Sequence, residues 1–281
     1  TLFPYTTLFR SPGDIRHCIT ALADDEDLVT KLFKYRFKNG EGLEGHSFGN
    51  LFLTAMCAIT GDMASAVKAS ANVISIRGRV LPSTLDDMKL VAEMEDGRII
   101  HGESTIPEAG GKIKRLSSEP SDCKALPEVI EAIKNAELII LGPGSLFTSV
   151  IPNLLIKEIA QEIAMSKAKK IYVCNIMSQP GETDNFKASD HIKALINHAG
   201  TKEILDAVLV NDYIPENLAD KYEKSNSYPV ELDLQEIKKL GIKVFAKNLI
   251  EPNKDGYVRH SSIKVARSIY YWFRKEQRNK D

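Results

Sequence analysis

Short apolar segments alternate with helical segments along the second half of this chain, and this alternation restricts the fold more than any other feature. The sequence predicts strands at 137–141, 170–174, 206–210 and 242–246. It predicts helices at 127–135, 153–165, 188–199, 215–223, 233–240 and 262–277. Apolar strands joined by helices are typical of parallel sheets that are covered by helices on both faces. We therefore predict an α/β fold with a doubly wound, mainly parallel sheet.

The first half of the chain has a different pattern. Residues 12–37 have helical spacing, interrupted by acidic residues at 24–27. Ser47 is the predicted N-cap of an apolar helix that runs through Ile59, and a further helix is predicted at about 62–74. Short strands separated by turns follow between about 76 and 118. They indicate a small antiparallel β insertion within a single domain of residues 12–281.

Composition excludes several classes of protein. The 281 residues include 37 Lys+Arg and 38 Asp+Glu, so the net charge of −1 argues against both a nucleic-acid binder and a disordered chain. The four cysteines lie far apart with no CxxC pair, which favours a reducing, cytoplasmic location over a disulfide framework or a zinc site. The longest uncharged stretch, 138–156, is interrupted by glycine and proline, so no membrane span is predicted.

The N-terminal segment has a separate origin in this interpretation. Residues 1–11, TLFPYTTLFRS, match the in-frame translation of a widely used short-read sequencing adapter. A natural strand rich in Phe and Thr is the alternative. We set the segment aside for the fold prediction, as is done for fusion scars, and take the natural sequence to begin at Pro12.

Polar residues follow the predicted parallel strands, at the edge of the sheet where α/β folds bind ligands. Glycine lets the backbone approach a ligand, and the N–H groups of a helix start favour an anion. Amide side chains can donate to and accept from sugar hydroxyls, although such residues are also common in turns. The loop 176–187 is placed to cover this crevice. The candidates are Gly142, Pro143, Gly144, Ser145, Asn175 and Asn211.

Two further groups are candidate ligand contacts. They are Gly13, Asp14 and Arg16, and His46, Gly49 and Asn50. In the first group an arginine is suited to phosphate and a carboxylate to a metal or hydroxyl, with an Asp helix cap beside a solvated Arg as the alternative. In the second group the histidine is a ligand contact or a structural residue, and no neighbouring acid defines a catalytic triad.

The order of these motifs resembles the bacterial gluconeogenesis factor (YvcK-like) family, within the larger CofD-like superfamily of phospholactate transferases. The resemblance covers residues 12–273. The segments that carry it are PGDIRHCITALAD, YRFKNGEGLEGHSFGNLFLTA, RGRVLPST, GESTIPEAGGKIKR, LGPGSLFTSVIPNLLI, YVCNIMSQPGETD, SDHIKAL and VLVND.

The resemblance implies a Rossmann-like fold and a cytoplasmic regulator of cell shape and wall synthesis during growth on gluconeogenic carbon sources. It implies a UDP-sugar or related nucleotide as ligand. A homo-oligomer is left open, and the charge balance predicts no nucleic-acid partner. A transferase of the 2-phospho-L-lactate type, with a nucleotide diphosphate-linked donor and magnesium, is the alternative. An NAD(P)-dependent oxidoreductase is a weaker third hypothesis, because no GxGxxG motif is present.

The same resemblance places all of the candidate residues above in the ligand crevice, and it assigns no catalytic residue and no metal ligand. The family opens with a strand and a GGGTG loop, followed by a second strand and an ADDGGSSGRLR-like segment. This chain has residues 1–11 in their place. We therefore expect that the first phosphate-binding βα unit is missing and that the chain is N-terminally truncated.

Overall fold

The computed structural model describes residues 6–9, 18–23, 26–213, 226–252 and 258–278. The chain forms two compact units. The first unit comprises Thr1–Asp87 and Cys123–Ala132, and the second comprises Met88–Asp122 and Ile133–Asp281. Each unit has its own hydrophobic core, so each is described separately.

The first unit is mainly helical. Its elements are β1 (Thr6–Phe9), α1 (Glu26–Lys34), α2 (Phe48–Thr60), α3 (Met63–Ile74) and β2 (Arg79–Pro82). Ser47 is the N-cap of α2 as predicted, and its side chain accepts a hydrogen bond from the N–H of Asn50 at 3.3 Å. Val67 and Val80 pack together in the core. This packing joins α3 to β2.

β1 lies in the segment that was set aside as an adapter translation. It pairs in parallel with β2, with Thr6 opposite Arg79 and Phe9 opposite Pro82. Thr and Phe have high β propensity, which accounts for the strand whatever its origin. The pairing also means that β2 lies beside β1 and outside the antiparallel sheet to which its sequence was assigned.

The second unit contains both sheets that the sequence predicted. The antiparallel sheet has β3 (Lys89–Met94) between β4 (Ile99–His101) and β5 (Ile113–Glu119), with a short helix α4 (Thr105–Glu108) after β4. α5 (Pro127–Lys134) follows this sheet and crosses the sequence boundary between the units. The parallel sheet has β6 (Leu138–Leu141), β7 (Lys169–Val173), β8 (Ala207–Asn211) and β9 (Lys243–Lys247), in that order.

Helices and a small hairpin complete the second unit. A π-helix at Leu146–Val150 follows β6, and the remaining elements come after it. They are α6 (Ile151–Leu155), α7 (Lys157–Met165), α8 (Ala188–Ala199), a 3₁₀ turn (Lys202–Ile204), α9 (Leu234–Lys239), the antiparallel strands β10 (Ile250–Pro252) and β11 (Val258–His260), and α10 (Ser262–Arg278).

The two faces of the parallel sheet are covered by different helices. Ile171 and Val173 of β7 pack with Ile269 and Trp272 of α10 in one core cluster. Tyr172, between them, points to the opposite face, because successive side chains of a strand alternate. There its hydroxyl lies 3.0 Å from Nδ1 of His191, on α8. The sheet is therefore buried on both sides, and the predicted α/β fold is confirmed.

The predicted elements agree closely with the structure, with one correction within the helix predicted at 153–165. That segment contains a break at Ile156, between α6 and α7. The residue is buried and has extended backbone angles, φ −76° and ψ 102°, so packing overrides helix propensity there. The helix predicted at 215–223, and residues 12–17 and 24–25 of the first pattern, lie outside the described residues.

Within the residues described, no single helix has the length and apolar character needed to cross a membrane. One bent pair, α2 with α3 at 116°, passes the same test by length and composition alone.

The loop between β7 and α8 packs closely against the segment after β4. Gly181 in this loop has φ +78°, and a Cβ at this position would overlap the carbonyl group of Pro107 in α4. The N–H of Gly181 also donates to Asp184 at 2.7 Å. A residue without a side chain is therefore required here for both conformation and space.

We expect Gly181→Ala to lower the free energy of unfolding by about 3 kcal/mol, because the methyl group adds a steric clash to the strained φ. Gly200→Ala is the matched control. Gly200 has a similar φ of +73°, but its Cβ would meet no atom within 4 Å. We expect Gly200→Ala to lower the free energy of unfolding by about 1 kcal/mol, because it adds backbone strain alone. Urea unfolding followed by circular dichroism measures both values, and equal losses would contradict the contact with Pro107.

Candidate functional site

Two of the predicted site segments meet at the carboxyl ends of neighbouring strands. Gly142–Ser145 follows β6 and Asn175 follows β7, which pairs with β6 in parallel. Gly142 has φ +71°, and a Cβ there would lie 3.0 Å from the carbonyl oxygen of Val173. The Gly142–Pro143 peptide bond is cis. The loop therefore lies directly against the end of β7, as the glycine suggested.

A chain of hydrogen bonds joins these two segments through a residue that was not among the site candidates. Gln179 donates from Nε2 to Oγ of Ser145 at 2.7 Å, and its Oε1 accepts from Nδ2 of Asn175 at 3.1 Å. The backbone N–H of Gln179 donates to Oγ1 of Thr183 at 2.8 Å. The side chains of Ser145, Gln179 and Asn175, which we call the polar relay, thus form one connected group.

The start of the helical segment after Ser145 is bound by a carboxylate of the protein itself. Glu182 accepts from the N–H of Phe147 at 3.1 Å and from the hydroxyl of Thr148 at 2.9 Å. The Glu182 side chain is buried, and this burial raises its pKa, although the two hydrogen bonds oppose the shift. The sequence predicts that the N–H groups at this helix start favour an anion. In the structure, the carboxyl group of Glu182 occupies this position.

Asn211 serves a different part of the fold. Its Nδ2 donates to the carbonyl of Tyr213 at 2.6 Å, and its Oδ1 accepts from the N–H of Leu249 at 3.0 Å. Leu249 belongs to the core cluster beneath α10. Within the described part of the chain, the Asn211 side chain forms no hydrogen bond with the polar relay. Its observed contacts are those of a residue that fixes the end of β8.

The remaining candidate site residues are not members of the polar relay. His46, Gly49 and Asn50 belong to the first unit, at the start of α2. His46 and Asn50 are exposed and Gly49 is buried. Gly13, Asp14 and Arg16 lie outside the described residues.

Beneath the Gly142 loop lies a buried, uncharged group of side chains. The ring of Tyr172 would be 3.4 Å from a Cβ at Gly142, and its hydroxyl bonds to His191. Burial lowers the pKa of His191 to about 4 and raises the pKa of Cys174 to about 12. At neutral pH both side chains are therefore uncharged, and Cys174 is a thiol rather than a nucleophilic thiolate.

A cavity of about 510 Å³ lies between β5 and α8 in the same unit. Its wall includes Phe147, Phe186 and His198, whose rings meet edge to face. His198 accepts from the N–H of Leu116 at 2.9 Å and so binds the edge of the antiparallel sheet to α8. The cavity shares Phe147 with the surroundings of Glu182, but it does not include the polar relay.

Metal binding is not evident from the geometry. The described residues contain no group of three or more His, Cys, Asp or Glu side chains that could hold an ion. The magnesium expected for a transferase therefore has no identified ligands in this part of the chain.

Comparison with known proteins places this architecture in a family. The family model described as "2-phospho-L-lactate transferase CofD" matches residues 7–250. The "Gluconeogenesis factor" of Bacillus subtilis is 48% identical over 256 residues, which are 91% of this chain and 80% of that protein. The chain belongs to the gluconeogenesis factor family. The resemblance of the sequence motifs to this family is thereby confirmed.

Two other relatives support the assignment. A Nostoc protein whose name also contains "gluconeogenesis factor" is 51% identical over 263 residues, covering 93% of this chain and 58% of that protein. The crystal structure of a Bacillus halodurans protein of the UPF0052 family superimposes with a TM-score of 0.87 at 45% identity, covering 92% of this chain and 83% of that one. This chain thus spans little more than half the length of the Nostoc relative.

We expect Glu182→Ala to lower the free energy of unfolding by about 2 kcal/mol, because it leaves the Phe147 N–H and the Thr148 hydroxyl without their acceptor. Hydrogen exchange at the Phe147 amide should become faster in the same variant. Glu231→Ala is the control, since Glu231 forms an exposed ion pair with Lys187 and its loss should cost less than about 0.5 kcal/mol. An unchanged exchange rate at Phe147 would contradict the proposed anchoring.

Proposed function

We propose that this chain is a regulator that binds a nucleotide sugar, of the UDP-sugar class, in the crevice formed by Gly142–Ser145 and the polar relay. One observation carries the proposal. Ser145, Gln179 and Asn175 connect the ends of two neighbouring parallel strands through hydrogen bonds of 2.7 and 3.1 Å. This edge of a parallel sheet is where α/β proteins bind nucleotides.

The chemistry of the polar relay favours a sugar over a free anion. Its members are neutral groups that can both donate and accept, which matches hydroxyl and amide groups of a sugar. The N–H of Phe147 is already bound to Glu182. We therefore propose that the diphosphate of the ligand contacts the backbone of Gly142–Ser145.

The chemistry of the polar relay agrees better with a regulatory role than with a catalytic role. Ser145 Oγ is bonded to the Gln179 amide, which cannot act as a general base. Cys174, close to the crevice, is held as a thiol by burial. The proposed role is that suggested by the family: a cytoplasmic factor that supports cell shape and wall synthesis during gluconeogenic growth.

Isothermal titration calorimetry with UDP-N-acetylglucosamine and UDP-glucose tests the proposal. We expect Gln179→Ala and Ser145→Ala each to weaken binding about tenfold, because each removes a link of the polar relay. Gln235→Ala is the control, as Gln235 is exposed on α9. The titration is run on this chain and on a form that carries the N-terminal segment of the Bacillus subtilis relative. No heat from either form at millimolar ligand would refute the proposal.

The description of the matching family model favours a second candidate, a transferase that takes a phospholactate-type group from a nucleotide diphosphate-linked donor. Incubation of the extended form with magnesium, donor and acceptor, followed by phosphorus NMR, distinguishes the two. We expect no release of free nucleotide. Turnover that is lost in Asp14→Asn would instead establish the transferase, with the Asp14 carboxylate needed for the reaction.

A further inference from the structure

The last helix, α10, has two faces that differ sharply in composition. It spans 17 residues, Ser262–Arg278, and is about 25 Å long at 1.5 Å per residue. Its inner face packs Ile269 and Trp272 against the parallel sheet. Its one acid, Glu276, is also buried, where it accepts from Lys169 at 3.1 Å and from Lys243 at 2.7 Å. The inner face is therefore fully used by the core.

The outer face of α10 is basic and aromatic. Tyr270 and Tyr271 are 58% and 70% exposed, and their rings lie 6.0 Å apart. Four cationic side chains surround them, all of them exposed. These are Arg267, Arg274, Lys275 and Arg278. Because Glu276 points inward, this face presents no acidic side chain of the helix, and we call it the basic face.

The charges of the basic face are not neutralised within the described part of the molecule. None of its four cations forms an ion pair there, whereas some surface lysines on other helices do. Lys193 pairs with Asp190 on α8, and Lys239 pairs with Glu236 on α9. In a chain of net charge −1, four unpaired cations on one helix face are a marked segregation of charge. Such a surface attracts an extended anionic partner.

We propose that the basic face of α10 is a docking surface for an anionic membrane. Arginine and lysine bind lipid phosphate groups, and tyrosine rings favour the interface between headgroups and hydrocarbon. The exposed tyrosines suit an interface that is apolar on one side, as the boundary between headgroups and hydrocarbon is. Since the apolar face of α10 is packed on the sheet, the helix would lie against the headgroups without inserting.

Sedimentation with vesicles tests this surface on the intact chain. At low ionic strength we expect binding to vesicles of phosphatidylglycerol and phosphatidylcholine in equal parts, and none to pure phosphatidylcholine. A variant with Arg267, Arg274, Lys275 and Arg278 all changed to Gln should bind about six-hundredfold more weakly, because each cation near an anionic surface contributes a factor of about five. Tyr270→Ser with Tyr271→Ser should weaken the binding that persists at higher salt.

A matched variant removes the same charge elsewhere in the second unit. It changes four exposed lysines that form no ion pair with a described residue, namely Lys157, Lys167, Lys202 and Lys238, all to Gln. This control should bind the vesicles at least half as well as the unaltered chain. Absence of vesicle binding, equal binding to both vesicle types, or equal loss in the control overturns the proposal. Tighter binding to duplex DNA or polyglutamate than to the anionic vesicles overturns it as well.

Discussion

The second unit depends on the bonds that the Glu182 carboxylate makes to the helix start after β6. They connect the β7–α8 loop to the β6 end, and so they fix Gln179 where it can join Ser145 to Asn175. The same loop is held on its other side by Gly181, against Pro107. Burying an acid is unfavourable unless its oxygens are bonded, so these hydrogen bonds favour this position of the loop. The candidate site is a consequence of that position.

Much of the fold could be predicted from sequence because the strands of the parallel sheet have a clear apolar pattern. The β6–β9 segments are apolar and are separated by helical spacing, a pattern that leaves few alternatives. The break at Ile156 was not predictable, since it results from burial of one residue in extended conformation. The pairing of β2 with β1 was also missed. Short strands carry no information about their partners, and β1 had been excluded on other grounds.

The candidate site was predicted in part. Strand ends place Gly142–Ser145 and Asn175 together because parallel strands align their carboxyl ends. The same reasoning included Asn211, but its side chain is engaged by Tyr213 and Leu249. Gln179 and Glu182 were recognised only as parts of a covering loop. Their roles depend on how that loop folds back, and no local spacing in the sequence encodes this.

The burial of Trp272, on the inner face of α10, has a practical consequence. It is the single tryptophan of the chain, and it lies in the core of the second unit. Its intrinsic fluorescence will therefore report the loss of packing between α10 and the parallel sheet. Comparing this emission with a whole-chain signal such as ellipticity will reveal whether the two units lose their structure in one cooperative transition or in two.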